Sequence, residues 1–239
     1  MDVTLDSICD IQLYQSKTGY RFSLDSLLLC NFVDLQRVSR IADLGAGSGI
    51  VGILLAKKYP GAKVTLFEIQ DGLVRLAEKN VAMNHLQDRV QVIQCDLRKI
   101  AELSAVPSYD LVVSNPPFRR VKSGRINREE ERAVARHEIK LTLHELVAAA
   151  ASSLAAKGRF CMIYHPCRLS ELIDTLRNSD IEPKRLRFVH SNMSAEAKMV
   201  LLEAVKSGRT GLKVEKPLYI YHEDGSYTKE LEEIYGDSV

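Results

Sequence analysis

The feature that most constrains this chain is an alternation that begins at Arg40. Short apolar runs recur from there, each followed by a stretch with helical spacing of its apolar residues. Strands are expected near residues 41–44, 63–67, 90–93, 109–114, 158–164, 184–190 and 197–205, and helices near 49–58, 71–84, 97–103, 140–156 and 168–178. Strands separated by helices pair in parallel and must be covered on both faces. The expected fold class is therefore α/β: a seven-stranded, mostly parallel sheet with helices on both sides. The chain has 239 residues, 46% of them hydrophobic, enough for one such unit with a sizeable core and too few for two large ones. A single domain over residues 1–239 follows, with a lead-in over 1–39 and the core over 40–239. The lead-in reads as a short strand at Ile11–Tyr14, a turn at Lys17–Gly19 and a helix from about Leu24 to Leu35. Pro217-Leu-Tyr-Ile-Tyr221 can add a late edge strand.

The first core strand ends in Asp43-Leu-Gly45-Ala-Gly47-Ser-Gly49, and a helical pattern starts at Ile50. Strand, glycine loop and helix form the opening of a nucleotide-binding βαβ unit. Glycines there permit positive φ and close approach of a ligand to the backbone. Nineteen residues beyond Gly49, Glu68 ends the strand Lys63-Val-Thr-Leu-Phe67, where a carboxylate can accept from both hydroxyls of a ribose. Gly47-Ser-Gly49-Ile-Val-Gly52 also fits the dinucleotide fingerprint, so the loop alone does not separate a nicotinamide cofactor from S-adenosylmethionine. Asp43 tilts the choice: its charge suits a cationic amino-acid end and would repel a pyrophosphate.

The apolar run Tyr109-Asp-Leu-Val-Val-Ser114 ends at Asn115-Pro116-Pro117-Phe118. Two prolines terminate a strand and leave carbonyls without competing N–H groups. The residue before a proline is held extended, so Asn115 has little backbone freedom. The tetrapeptide thus offers an amide side chain, a free carbonyl and an aromatic ring. That set suits a planar amine: two acceptors for its NH2 and a face to stack on. A plain strand-ending turn is the bland alternative.

Charge is local. The net charge is +2, yet residues 119–140 hold eight cations (Arg119, Arg120, Lys122, Arg125, Arg128, Arg132, Arg136 and Lys140) against four glutamates. The segment starts one residue past Phe118, so it reads as a phosphate-binding loop or mobile helix, with a solvated helix as the alternative. Five cysteines without a C-x-x-C pair speak against a disulfide framework or structural zinc, and fit reduced thiols in a cytoplasmic protein. His137 and His165 lack metal-ligand spacing, so no metal is expected. Met1-Asp-Val-Thr-Leu-Asp6 has no basic start or apolar core of a signal peptide, and no apolar run approaches the ~20 residues of a membrane span.

Taken together, Asp43-x-Gly-x-Gly-x-Gly49, Glu68, Asp96 and Asn115-Pro-Pro-Phe118 resemble the class I S-adenosylmethionine-dependent methyltransferases, and among them those acting on planar amines. Gly19-Tyr-Arg-Phe-Ser-Leu-Asp-Ser-Leu-Leu-Leu29, Lys206-Ser-Gly-Arg-Thr-Gly-Leu-Lys-Val214 and Asp224-Gly-Ser-Tyr-Thr228 look like the bacterial tRNA adenine-N6 methyltransferases, whose characterised activity falls on an adenine beside the anticodon of a valine tRNA. The resemblance spans the chain and implies a Rossmann-like fold, S-adenosylmethionine as cofactor and S-adenosylhomocysteine as product. It implies catalysis by Asn115, Pro116, Pro117 and Phe118, and cofactor contacts from Asp43, Gly45, Gly47, Gly49, Glu68, Asp96 and Leu97, with Asp25 and Arg21 closing over the methionine end. Asp96 and Asp25 can equally begin the helices that follow them. The implied partner is an RNA, most simply a tRNA, and the protein would be a monomer or weak dimer. A glutamine N5-methyltransferase of release factors shares the motif, and a DNA or rRNA amino-methyltransferase, a non-catalytic cofactor-binding module and a nicotinamide oxidoreductase stay open.

Overall fold

A computed structural model of the chain describes residues 3–8, 10–16, 24–103, 108–116 and 141–236. The elements run β1 (Val3–Ile8), β2 (Ile11–Ser16), α1 (Leu24–Phe32), β3 (Arg40–Leu44), α2 (Ile50–Lys58), β4 (Lys63–Glu68), α3 (Asp71–Met83), β5 (Val90–Gln94) and β6 (Tyr109–Ser114). They continue with α4 (Leu143–Ser153), β7 (Leu154–Tyr164), α5 (Leu169–Asn178), β8 (Ile181–His190), β9 (Ala197–Lys206), β10 (Lys213–Val214), β11 (Leu218–Tyr219) and α6 (Lys229–Gly236).

The central sheet has the order β10-β8-β9-β7-β6-β3-β4-β5, with β11 also on β8. All its pairs are parallel except those of β9 with β7 and β8. The expected seven strands are all present and the late edge strand expected at Pro217–Tyr221 appears as β11, but nine strands of the described residues join the sheet, which corrects the count of seven. The two additions, β10 and β11, are two residues each and lie parallel to β8. Lys213 and Val214 are exposed, so no buried face printed a period on the sequence there.

The core strands are apolar on both faces because helices cover both. Ile41, Ala42, Leu66, Phe67, Leu111, Val112, Val113, Phe160, Cys161 and Met162 are all fully buried. Helix α2 is buried from Ile50 to Ala56 and lies tight on β4. A Cβ at Gly52 would come 2.0 Å from Leu66 Cδ2 and 3.3 Å from Val64 Cγ1, so only glycine allows that spacing. Helix α4 opens with a capping box, Thr142 accepting from Glu145 N while Glu145 accepts from Thr142 N.

Other boundaries shifted for local reasons. The lead-in helix ends at Phe32 rather than Leu35: Lys58 Nζ donates to the carbonyls of Cys30, Asn31 and Val33 and closes the helix end. The helix expected at 97–103 is a 3-10 helix over Leu97–Glu102. The single strand expected at Ile11–Tyr14 is one arm of an antiparallel hairpin with β1. That hairpin forms its own two-stranded sheet. The turn at 17–19 and the loop at 119–137 lie outside the described residues.

Candidate active site

Strand β3 lies between β4 and β6, so chain order reverses at the β3/β6 boundary. The crevice beyond the carboxyl ends of strands at such a switch point is where open α/β sheets bind ligands. The glycine loop leaves β3 there and the Asn-Pro-Pro segment leaves β6 beside it. Ser114 Oγ donates to Leu44 O at 2.7 Å, joining the two strand ends just before both loops begin.

The loop is pinned from several sides. Gly45 N and Ala46 N both donate to Phe67 O at 2.9 Å, and Gly49 N donates to Ala46 O. Gly47 and Gly49 have φ of 58° and 89°, and a Cβ on Gly47 would meet nothing within 4 Å. The loop's outer surface is open at that point, as a backbone that receives a ligand requires.

Two carboxylates lie beneath it. Asp43 is 1% exposed, and its Oδ2 accepts from Gly52 N at 3.0 Å in the first turn of α2. Burial pushes its pKa up to about 7, against the lowering effect of the Gly52 bond and helped by the nearby charge of Glu68. Glu68 is also buried. Its Oε2 accepts from Gly47 N at 3.0 Å and its Oε1 from Ile69 N and Gln70 N, so it clamps the glycine loop to the start of α3. Both its oxygens are thus engaged, and the hydroxyls of a ribose bound there would share acceptors already in use.

Asp96 begins the 3-10 helix, as its alternative reading held. Its Oδ1 accepts from Arg98 N at 3.0 Å, and the Arg98 guanidinium sits on both oxygens. The Arg98 side-chain bond holds the Asp96 carboxyl below the usual carboxylate range. Leu97 is buried next to it. Asp25 is buried in the first turn of α1. Pro117, Phe118, the cations Arg119, Arg120, Lys122, Arg125, Arg128, Arg132 and Arg136, and Arg21 lie outside the described residues.

Asn115 carries the sharpest signal. Its Nδ2 donates to Ser26 Oγ of α1 at 3.2 Å, which fixes the orientation of the amide. Its Oδ1 is buried without a partner, one of two such side-chain atoms among the described residues. An unsatisfied buried acceptor costs about 1–3 kcal/mol. Such an atom calls for an explanation, and a catalytic role is one. The acceptor expected to receive a hydrogen of a planar amine has no partner among the described residues. Ser26, Ser114 and Asn80 (below) were not singled out in the sequence. Isolated serines and asparagines carry no pattern, and their roles come from contacts far apart in the chain.

The strand order, the glycine loop after β3 and the Asn-Pro-Pro segment after β6 define a class I methyltransferase architecture. A predicted O-methyltransferase from Agrobacterium tumefaciens shares the fold with a TM-score of 0.72 at 22% identity, covering 90% of this chain and 97% of that one. Residues 21–179 match the methyltransferase small domain, and the chain belongs to that family. Among its relatives, the tRNA1(Val) (adenine(37)-N6)-methyltransferase of Aeromonas hydrophila is 30% identical over 214 residues, covering 89% of this chain and 87% of that protein. The enzyme of the same name from Porphyromonas gingivalis is 31% identical over 209 residues, covering 85% and 81%.

Proposed function

We propose that this protein transfers a methyl group from S-adenosylmethionine to the exocyclic N6 of an adenine in RNA, and that the RNA is a tRNA methylated beside its anticodon. The observation that carries the reading is the buried, unpartnered Oδ1 of Asn115 at the switch point. The relatives' names supply the substrate class.

S-adenosylmethionine supplies the methyl group as a sulfonium. The open loop at Gly45–Gly49 would receive its methionine part, and the carboxyl of Asp43 would favour its cationic end. Glu68 would hold the ribose and Asp96 would accept from the adenine amine, each sharing a carboxylate already engaged by the protein. An adenine amine is a weak nucleophile because its lone pair is delocalised into the ring. Asn115 Oδ1 and the Pro116 carbonyl accept its two hydrogens, turn the nitrogen towards a tetrahedral geometry and aim its lone pair. They also stabilise the positive charge that develops on nitrogen as it takes the methyl; the methylated amine is then acidic enough to release its surplus proton to water, so no strong base is required. Ser26 keeps the Asn115 amide from flipping its acceptor away. The remaining gain is positioning. Phe118 would stack on the base, worth about 1–3 kcal/mol. An anticodon-loop base is already largely unpaired, which lowers the cost of presenting it. The cations after Phe118 would hold flanking phosphates.

The test is methyl transfer from labelled S-adenosylmethionine to unmodified tRNA, ribosomal RNA and a release-factor protein in parallel, with nucleoside and amino-acid analysis. N6-methyladenosine in tRNA is expected. Label on a protein glutamine, whose carboxamide would fit the same two acceptors, would overturn the substrate assignment.

A further inference from the structure

The hairpin β1–β2 shares no strand pairing with the central sheet. Two asparagines one turn apart hold it, Asn80 on α3 and Asn84 capping its C-terminal end. Asn84 Oδ1 accepts from Gln12 N at 3.0 Å while its Nδ2 donates to Gln12 O at 2.7 Å and to Asn80 O. Asn80 Oδ1 accepts from Tyr14 N at 2.7 Å while its Nδ2 donates to Tyr14 O at 3.0 Å. Each amide thus reads one residue of β2 as a neighbouring strand would, and the spacing of two along β2 matches one helical turn of α3. The ammonium of Lys79 lies 3.5 Å over the Tyr14 ring and adds a cation–π contact.

Asn80 differs from Asn84 in where its second Nδ2 bond goes. It reaches out of the helix to Ser48 O at 2.9 Å, between the positive-φ glycines Gly47 and Gly49. Asn80 is 0% exposed, and its three bonds use its acceptor and both donors. One buried side chain therefore joins three elements: the hairpin, helix α3 and the glycine loop. With Glu68 on Gly47 N, it pins two consecutive residues of the loop.

We infer that Asn80 is a positioning residue of the cofactor site: it holds Ser48 O, and so the loop backbone, in the ligand-receiving shape, and makes the N-terminal hairpin part of that site. The inference rests on the reading that the Gly45–Gly49 loop receives S-adenosylmethionine. Its consequence is selective. Asn84→Ala removes hairpin bonds and leaves the Ser48 anchor, whereas Asn80→Ala removes both. Asn80→Asp keeps the acceptor for Tyr14 N but turns a carboxylate towards the two carbonyls.

The experiment is calorimetric titration of the full-length wild-type, Asn80→Ala, Asn80→Asp and Asn84→Ala proteins with S-adenosylmethionine, beside their melting temperatures and turnover at saturating cofactor. Loss of a buried bond to the loop predicts that both Asn80 variants bind the cofactor about tenfold or more weakly, with turnover at saturation little changed. Asn84→Ala should melt earlier and bind within about threefold of wild type. Amide exchange at Gly47 and Gly49 should quicken in the Asn80 variants alone, a readout that needs no activity. If Asn80→Ala does not fold, Asn80→Asp carries the comparison. Equal weakening by Asn80 and Asn84 variants, or unchanged affinity in both Asn80 variants, would overturn the inference. A wild-type protein that bound no S-adenosylmethionine would instead overturn the underlying reading of the loop.

Discussion

Replacing Asp43 with asparagine should flatten part of the pH dependence of stability. Asp43 is 1% exposed and bonded to Gly52 N, and its carboxyl titrates near 7 in the folded chain against an ordinary value of 3.8. The folded state therefore holds a proton that the unfolded state has released. The associated stabilisation is complete below the unfolded pKa and is lost as pH rises through about 7. A shift of about three units corresponds to roughly 4 kcal/mol, the most this carboxyl can cost between acid and mildly alkaline pH. Asparagine keeps an acceptor for Gly52 N and carries no charge. Urea unfolding of both proteins at intervals between about pH 5 and pH 8 measures the difference. Wild type should lose stability relative to Asp43→Asn as pH rises. A gap that stays the same at every pH would mean that Asp43 ionises like a surface carboxylate, and the argument from burial would fail.

Three further outcomes are expected. Affinity for S-adenosylmethionine should strengthen as pH rises through about 7 in wild type, because a cationic ligand end favours the ionised carboxylate, and should lack that dependence in Asp43→Asn; titration at several pH values checks it. Gly52→Ala should lower stability by about 1–3 kcal/mol in urea unfolding, since its Cβ would overlap the fully buried Leu66 side chain, more than helix propensity restores. Glu203→Ala should cost about 2–3 kcal/mol: Glu203 is buried between Arg159 and Arg185, and the partial exposure of both arginines keeps the loss at the lower end for a broken buried pair.

Much of the fold was legible because its strands are buried on both faces. Residues 109–114 and 63–67 read as apolar runs, and the structure keeps them as β6 and β4 with bounds within a residue. β11 falls within the late edge strand expected at Pro217–Tyr221, with Leu218 buried. β10 was not legible in that way: it is a two-residue addition on β8, exposed and held by pairing rather than by a buried face of its own. The glycine loop and Asn115 were legible from chemistry, since positive φ and a proline-fixed amide leave marks in sequence. The dual use of Glu68 was not, because Gly47 N reaches it only once β4 lies beside β3. The same holds for Ser26, which meets Asn115 across 89 positions of chain. Gly52 shows the converse. It completes the dinucleotide pattern, and its role here is close packing of α2 on β4, which both kinds of nucleotide fold need.

The account turns on Asn115 as the group that grips the amine. The most direct measurement is methyl transfer by Asn115→Ala at saturating tRNA, beside its affinity for S-adenosylmethionine. The unpartnered Oδ1 predicts that transfer falls by about a hundredfold or more while cofactor affinity stays within about threefold, because on the proposed reading the amide would touch the acceptor base and not the methyl donor. Transfer near the wild-type rate, or an equal loss of transfer and cofactor affinity, would contradict it and leave Asn115 a structural turn residue.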